Sequence, residues 1–376
     1  MRVVVLGAGF GGLELTTTLS EEFGDAVEVV LIDREDGFIF GFSKLDVMFG
    51  RALPDAVFHA YADFVKRGVQ VVKAEITAID PEARRVETSA GTFDADYLVL
   101  ALGADVDPSA TPGLIDGGHE FYTAEAAVAL RDVIANFEGG RVIVCVTSVP
   151  YKCPPAPSET VVLMHEFLTE RGLRGRSEIA LVTPQPAPIP PAPEASAAIR
   201  AAFEERGITF HPNMVLRSLD PARNTAVFGD GTEMPYDLFL GVPVHRAPKV
   251  VVDAGLTVDG WVPADLRTLE TSFPGVFAIG DVNGAGMPKA GVFAERQGEL
   301  AARRIAALIR AETGGPEYDG RGLCYLELGS TGVGRINVEF VPGTGPVGRF
   351  DMPSPEAATD KAEFGAIRAR RWFTAG

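Results

Sequence analysis

The chain has 376 residues, 46% of them hydrophobic, and exceeds the usual size of one domain, so we expect two or three lobes. Its net charge of -17 argues against nucleic acid as a partner, because phosphate binding requires a basic surface. No apolar run approaches the roughly 18 residues of a transmembrane helix, and three cysteines are too few for a disulfide-stapled secreted fold. We therefore expect a cytoplasmic enzyme, and we predict no metal site.

The chain begins with the pattern of a dinucleotide-binding unit. An apolar strand, Arg2 to Leu6, runs into the turn GAGFGG and then into a predicted helix over Leu13 to Glu22. The glycines permit the tight turn and let the backbone approach a pyrophosphate, while the helix N-terminus offers free N–H groups. A second strand, Val27 to Ile32, ends at an acid, where such units bind a ribose hydroxyl. The residues predicted to bind the dinucleotide here are Gly7, Gly9, Phe10, Gly11, Gly12, Asp33 and Arg34.

Two later strands indicate which dinucleotide is bound. Tyr97 to Gly103 (YLVLALG) and Phe273 to Asp281 (FPGVFAIGD) are apolar runs that end in glycine-containing turns. They resemble the two accessory motifs of the FAD-dependent pyridine-nucleotide–disulfide oxidoreductase superfamily, although Leu102 stands where that family often has threonine. The resemblance implies FAD as the cofactor, with the late aspartate near its ribityl chain and pyrophosphate. The contacts predicted from these motifs are Ala101, Gly103, Gly280 and Asp281.

The strand and helix patterns divide the chain into four segments. Residues 1–110 form the first half of the FAD-binding domain, including a β-meander over 69–97, and residues 241–310 complete that domain. Residues 111–240 form a second Rossmann-like domain, and residues 311–376 form a C-terminal segment. Elements predicted in these last two segments are strands over 141–147, 177–182, 322–328 and 334–341 and helices over 158–171 and 194–206. The predicted fold class is α/β, with two Rossmann-like three-layer domains and a C-terminal α+β segment.

The stretch TSVPYKCPPAPSE, residues 147–159, follows the strand at which a two-dinucleotide reductase places its second glycine turn. It contains no glycine, so a second pyrophosphate would meet side chains where it needs bare backbone. It presents Cys153 instead, before two prolines that hold the chain extended, and we predict that the neighbouring Lys152 favours the thiolate that attacks sulfur. Glu159 has two interpretations: proton transfer with a pKa raised by burial, or stabilisation of the helix start.

The other two cysteines differ from Cys153. Cys145 lies in the middle of an apolar strand and is predicted to be part of the core. Cys324 lies far away in the C-terminal segment, and the sequence alone does not show whether it meets Cys153.

Motifs over nearly the whole chain resemble those of the sulfide:quinone oxidoreductases and of the flavoprotein subunit of flavocytochrome c sulfide dehydrogenase. They are the glycine turn, the run KCPPAPSE, FAIGD, PKAGVFAERQG and the late cysteine. The resemblance implies that Cys153 and Cys324 form a redox-active pair that sulfide attacks, with Glu159 as the candidate base. It also implies that Lys289 lies near the pyrimidine edge of the flavin, where its charge would favour the anionic reduced form. The alternative for that lysine is a solvated position at the start of a helix.

The chain departs from that family in three places. Residues 118–125 contain no third cysteine, and the loop over 184–193 carries prolines where the family often has a histidine. The C-terminal run EFGAIRARRWF, residues 363–373, is short, basic and aromatic. It has two interpretations: contact with an anionic membrane surface, or docking on its own domain. A quinone acceptor is therefore implied by the resemblance more than by the residues.

These observations predict FAD-dependent oxidation of sulfide or another small persulfidic donor, with electrons passed to a quinone or another acceptor. One alternative is a reductase similar to the type II NADH dehydrogenases. Another is a non-catalytic flavin-binding redox sensor in which the cysteines act as a switch. The expected location is the cytoplasm, with the C-terminal run as the candidate for peripheral contact on the inner face of the cell membrane.

Overall fold

The computed structural model describes residues 1–341 and 344–374. Its first 110 residues alternate strands and helices as the glycine-turn pattern predicts. The elements there are β1 (Arg2–Leu6), α1 (Phe10–Phe23), β2 (Glu28–Asp33), β3 (Gly37–Ile39), α2 (Ser43–Met48), β4 (Phe58–Ala60), β5 (Val69–Lys73), β6 (Ile76–Asp80), β7 (Arg85–Thr88), β8 (Gly91–Asp94), β9 (Tyr97–Leu100) and β10 (Asp105–Asp107).

The middle of the chain repeats the alternation. Its elements are α3 (Leu114–Gly117), β11 (His119–Glu120), α4 (Ala124–Ala135), β12 (Arg141–Val146), α5 (Ala156–Glu170), β13 (Glu178–Val182), α6 (Pro193–Arg206), β14 (Ile208–His211), β15 (Leu216–Asp220), β16 (Thr225–Phe228), β17 (Glu233–Pro235), β18 (Leu238–Val242) and β19 (Val244–Arg246). The remaining elements are α7 (Lys249–Asp253), β20 (Val276–Ala278), α8 (Gly291–Ile309), β21 (Arg321–Glu327), β22 (Val333–Val341), β23 (Gly345–Asp351) and α9 (Pro355–Phe373).

Two parallel five-stranded sheets organise the molecule. The first has the order β20-β9-β1-β2-β5 and the second the order β11-β18-β12-β13-β14. In β1, Val3 and Val5 pack on one face of the sheet, while Val4 and Leu6 pack on the other. This burial on both faces explains the continuous apolar run that the sequence shows. The short antiparallel pair β10–β19 joins the two lobes, and β6–β7–β8 form the predicted meander.

Helices α1 and α8 cross in close contact over the first sheet. A Cβ atom at Gly298 of α8 would lie 2.4 Å from the carbonyl oxygen of Gly11 in α1, so the contact requires glycine there. Because α8 follows the late aspartate and α1 follows the glycine turn, this contact brings both motifs to the carboxyl ends of β1 and β9.

The C-terminal segment adds an antiparallel sheet, β21–β22–β23, and the helix α9. Strand β23 was not predicted, and the predicted run 363–373 is the second half of a 19-residue helix. That helix begins with Ser354 as its N-cap, whose hydroxyl accepts a hydrogen bond from the N–H of Ala357 at 3.1 Å.

The end of α9 docks on α1. Of the two interpretations of the basic and aromatic run, this contact supports docking on its own domain. Trp372 is 0% exposed and donates from Nε1 to Glu14 at 2.8 Å. Arg371 pairs with the same carboxylate at 2.8 Å and with Glu21 at 2.8 Å. These side chains are therefore committed to contacts inside the molecule. Over residues 1–341 and 344–374, the structure contains no helix with the length and apolar character to cross a membrane.

Candidate active site

A cavity of about 240 Å³ lies between the two lobes and the glycine turn. Most of the residues predicted from the sequence to be functional line it: Gly9, Phe10, Gly11, Ala101, Gly103, Cys153, Glu159, Gly280 and Asp281. The same wall contains Lys152, which the sequence analysis placed beside Cys153, and two polar residues to which sequence reasoning gave no role, Lys44 and Tyr122. Other predicted residues stand outside this lining within the described chain: Gly7, Gly12, Asp33, Arg34, Lys289 and Cys324.

The glycine turn has the form that a pyrophosphate requires. Gly7 has φ +101°, and a Cβ atom there would lie 2.4 Å from the carbonyl oxygen of Ala101. Gly9 lines the cavity, and a Cβ atom at that position would have no described protein atom within 4 Å. The N-terminus of α1 therefore opens into free space with its N–H groups available, which fits the phosphate groups of FAD.

The acid at the end of β2 faces the glycine turn. Asp33 accepts hydrogen bonds from the N–H of Ala8 at 2.6 Å and from the N–H of Glu35 at 2.9 Å. Burial raises the pKa of this carboxyl group. Its neighbour Arg34 is exposed and pairs with Glu35 at 3.2 Å. In this structure Asp33 stabilises the turn, and its contact with a ribose hydroxyl stays a prediction.

Cys153 occupies a strained position in the cavity wall. Its φ of +53° lies in the left-handed region, which is unfavourable for a residue with a side chain. Its N–H donates to the carbonyl of Lys289 at 2.7 Å, and its own carbonyl accepts from Ala156 at 2.9 Å at the start of α5. Two neighbouring segments thus fix the conformation and hold the side chain at the cavity.

The thiols of Cys153 and Cys324 lie in one electrostatic neighbourhood with Glu159. Burial raises the pKa of Cys153, and the charges of Glu159 and Cys324 add to that effect. Burial raises the pKa of Cys324 as well, again with a contribution from Glu159. All three cysteines of the chain are free thiols here, and Cys145 is fully buried in the core, as predicted. Packing thus brings together β21 and the start of α5, which are far apart in sequence.

The prediction that Lys152 favours the Cys153 thiolate is wrong. Lys152 donates from Nζ to the carbonyl of Ala104 at 2.9 Å, and the pKa of Cys153 is raised well above its usual value. The cation that lowers the pKa of Cys153 is Lys361, which comes from α9. The position of Lys152 next to Cys153 in the sequence did not show where its side chain points, because consecutive side chains leave the backbone on different sides.

Glu159 is 5% exposed and belongs to a network of buried charges that the sequence did not reveal. Its Oε1 accepts a hydrogen bond from the N–H of Glu327 at 2.8 Å and lies 3.8 Å from Nζ of Lys361. Lys361 also contacts the carboxylate of Glu327, which pairs with Arg51 at 2.8 Å. Burial raises the pKa of Glu159, although Lys361 opposes the effect. The raised pKa makes this carboxylate a stronger base than an ordinary glutamate.

Lys289 is 6% exposed and turned away from the cavity. Its Nζ donates to the carbonyl of Asp281 at 2.5 Å and lies 3.3 Å from the centre of the Trp261 ring. Burial lowers its pKa to about 8. A solvated position is therefore wrong for this lysine, and its contact with the flavin stays a prediction.

Comparison with known proteins gives the family. The model of the pyridine nucleotide-disulphide oxidoreductases matches residues 1–146 and 167–301. The mitochondrial sulfide:quinone oxidoreductase of Mus musculus is 23% identical over 343 residues, covering 87% of this chain and 76% of that protein. A type II NADH:quinone oxidoreductase of Staphylococcus saprophyticus is 25% identical over 402 residues, covering 91% of each chain.

Among solved structures, the sulfide:quinone oxidoreductase of Aquifex aeolicus superposes with a TM-score of 0.85 at 20% identity, covering 99% of this chain and 92% of that one. This likeness confirms the predicted fold class, and the family match confirms the predicted cofactor, FAD. The chain belongs to the pyridine nucleotide-disulphide oxidoreductase family.

Proposed function

We propose that this chain oxidises sulfide, or a small persulfidic donor, at Cys153 and Cys324 and passes the electrons through FAD to a quinone or another acceptor. The observation that carries the proposal is the position of Cys153. It lies in the wall of the predicted FAD cavity, in a strained backbone conformation, with Cys324 and Glu159 within electrostatic reach. Strain at a reactive side chain is typical of functional sites.

The chemistry follows from the two thiols and the acid. In the oxidised enzyme the two sulfurs share a disulfide, and hydrosulfide attacks one of them. The disulfide bond breaks, one cysteine carries the added sulfur as a persulfide, and the other leaves as a thiolate. Glu159 takes up the proton that the attacking sulfur loses, because its raised pKa makes the carboxylate a stronger base than usual. The thiolate and the persulfide would then join as a trisulfide, and FAD, when bound, would accept the electron pair that this releases together with the proton held by Glu159, so that atoms and electrons balance.

Lys361 supports this arrangement from the C-terminal helix. Its ammonium group is the nearest cation to Glu159 and lowers the pKa of Cys153. A cation at this position stabilises both the carboxylate and the thiolate, which are the charged forms that the reaction uses.

The second candidate is NADH oxidation, and the 25% identity to a type II NADH:quinone oxidoreductase favours it. The local structure at the end of β12 opposes it. No glycine occurs in residues 147–159, and Tyr151, 5% exposed, fills the space after the strand. A pyrophosphate at this position would lack the bare backbone on which such sites depend.

The test is anaerobic absorbance of the flavin with sulfide added to one sample and NADH to another. We expect sulfide to bleach the yellow band, Cys153→Ser and Cys324→Ser to abolish the bleaching, and the core variant Cys145→Ala to retain it. Bleaching by NADH with indifference to sulfide would establish the second candidate. A disulfide that responds to redox poise without turnover would indicate a redox sensor. A soluble quinone added to sulfide-reduced enzyme then tests the acceptor by return of the yellow band.

We also propose a cytoplasmic location and peripheral contact with a membrane. The docked Trp372 and Arg371 leave Arg370 as the exposed basic residue near the end of α9. Co-sedimentation with anionic vesicles, compared between the unmodified chain and Arg370→Ala, tests the contact.

A further inference from the structure

Two lysines form a cationic patch in the wall of the FAD cavity. Lys44 comes from α2 and Lys152 from the loop before α5, and both line the same cavity as Cys153. The Nζ of Lys44 donates to the carbonyl of Tyr122 at 2.6 Å, and that of Lys152 to the carbonyl of Ala104 at 2.9 Å. Each ammonium group has three N–H donors, so one described carbonyl each leaves most of their hydrogen-bonding capacity available.

No carboxylate in the described chain lies within 4.0 Å of either ammonium group. Among the acids that act on the two lysines, Glu120 accepts hydrogen bonds from the N–H groups of Tyr122 and Thr123, and Asp281, which lines the same cavity, acts on Lys152 from beyond 4.0 Å. Asp105 lies 3.8 Å from Arg34. The two positive charges therefore face the cavity without close compensation.

Burial makes the positive charge of the two lysines unfavourable. Loss of hydration, with a smaller contribution from the charge of Lys152, lowers the pKa of Lys44 to about 8, against the opposing charges of Glu120, Glu125 and Cys153. Burial also lowers the pKa of Lys152, opposed by Asp281, Asp105 and Glu120. The nearby hydroxyl of Tyr122, 6% exposed, has no hydrogen-bond partner among the described residues. An anionic group in the cavity would compensate the two positive charges and would offer the Tyr122 hydroxyl a hydrogen-bond acceptor.

We propose that Lys44 and Lys152, rather than Lys289, are the cations that stabilise the negative charge which FAD acquires on reduction. Two electrons and one proton convert the neutral flavin ring to a monoanion, and the two ammonium groups disfavour uptake of the second proton. Lys289 is directed to Asp281 and the Trp261 ring instead, so its charge is already held by protein groups. This inference rests on FAD as the cofactor and goes beyond the proposed reaction with sulfide.

The test is a redox titration of the FAD-loaded protein with dithionite and an indicator dye, which uses no sulfide. We expect Lys44→Met and Lys152→Met each to weaken the two-electron reduction equilibrium about tenfold, a shift of about 30 mV to more negative potential. Lys289→Met is expected to leave the potential unchanged while lowering thermal stability. The exposed Lys73→Met is the surface control and is expected to match the unmodified protein.

The protonation state of the reduced flavin gives a second readout, which also works on the unmodified protein. We expect its reduced spectrum to be that of the anion at pH 7, and the pKa of the reduced flavin to rise by about one unit in Lys44→Met or Lys152→Met. A neutral reduced flavin in the unmodified protein at pH 7 would overturn the inference, whether or not the variants retain FAD. A shift in Lys289→Met alone would return the role to that residue. Loss of sulfide-dependent bleaching with these redox shifts intact would instead contradict only the proposed function.

Discussion

The backbone at Cys153 lies in the left-handed region, where a residue with a side chain is disfavoured by on the order of 1–2 kcal/mol. Glycine or asparagine would be the favoured choice at a position selected for stability alone. The N–H bond to Lys289 and the carbonyl bond from Ala156 hold the conformation in place. The surrounding structure thus stabilises a strained backbone conformation that places a thiol at the cavity. This combination is expected of a reactive residue.

His245 gives a pH-dependent prediction for stability. It is 5% exposed, its Nδ1 lies 2.8 Å from the carbonyl of Pro243, and its Nε2 has no partner among the described residues. Burial, together with the charge of Lys152, lowers its pKa to about 3. Below about pH 6.5 the unfolded chain binds a proton that the folded protein excludes, so stability is complete above this pH and is lost down to about pH 3.

We expect the free energy of unfolding to fall by about 2 kcal/mol between pH 7 and pH 5 from this residue alone. The measurement is urea unfolding at the two pH values in the unmodified protein and in His245→Leu, which removes the titrating group. The loss should be smaller in His245→Leu, whereas His119→Gln, at an exposed position, should retain most of it. An equal loss in all three proteins would assign the pH dependence to other groups.

Local pattern revealed only the residues whose role depends on their immediate neighbours. The glycine turn, Cys153 and Glu159 each lie beside a recognisable strand end or helix start, so their positions were predictable. Lys44 and Lys361 were missed because nothing beside them in sequence distinguishes them from surface lysines. Each reaches the site through contacts between elements far apart in the chain, which periodicity does not encode.

Helix α9 closes one side of the FAD domain through its last turn. The Trp372 ring packs edge-on against Phe10 at 5.8 Å between centroids and is stacked with Phe40 at 5.9 Å. Phe10 belongs to the glycine turn and lines the cavity. The C-terminal helix is thus connected to the predicted FAD cavity through one aromatic layer, so we expect its docking to affect both stability and cofactor retention.

We expect Trp372→Ala to lower the free energy of unfolding by about 3–5 kcal/mol, because it removes a fully buried indole and one of the N–H donors to Glu14, which keeps its bonds from Arg371. The matched control is Ile367→Ala on the same helix, 46% exposed, which should change stability by no more than about 0.5 kcal/mol. Chemical unfolding of FAD-loaded protein measures both. A small effect of Trp372→Ala would mean that the end of α9 contributes little to the fold.

At the level of elements, apolar periodicity predicted β1, β2, β12 and β13 and the helices α1, α5 and α6 to within a few residues, but it gave no prediction for α4, β11, β14 or β18. It failed in the C-terminal segment, where β23 (GPVGRFD) contains two glycines and a proline and shows no apolar alternation. This strand forms because β22 supplies a complete hydrogen-bonding edge, and Gly348 packs on Ala192 of the proline-rich loop. Tertiary contacts therefore override weak strand propensity here.

The two lobes use one topology for different purposes. The central strand is β1 in the first sheet and β12 in the second, but only the first of these strands ends in a glycine turn. The second ends in the Cys153 loop, which faces back toward the first lobe and contributes to the same cavity. Fold class was predictable because each lobe carries its own strand–helix pattern. The convergence of Cys324, Glu159 and Lys361 was not predictable from the sequence, because it depends on how the C-terminal segment packs between the lobes.

Because residues from both lobes line the cavity, FAD should couple their unfolding. We expect removal of FAD to lower the midpoint of thermal unfolding, since a ligand at one hundred times its Kd stabilises the folded state by about 2.7 kcal/mol. Calorimetry should give one transition for the FAD-loaded protein and a lower or divided transition for the apoprotein. Riboflavin, which lacks the pyrophosphate, should restore less stability than FAD because it cannot use the N–H groups at the start of α1. Identical transitions with and without FAD would mean that the lobes are joined by protein contacts alone, so the cavity would carry little of the coupling.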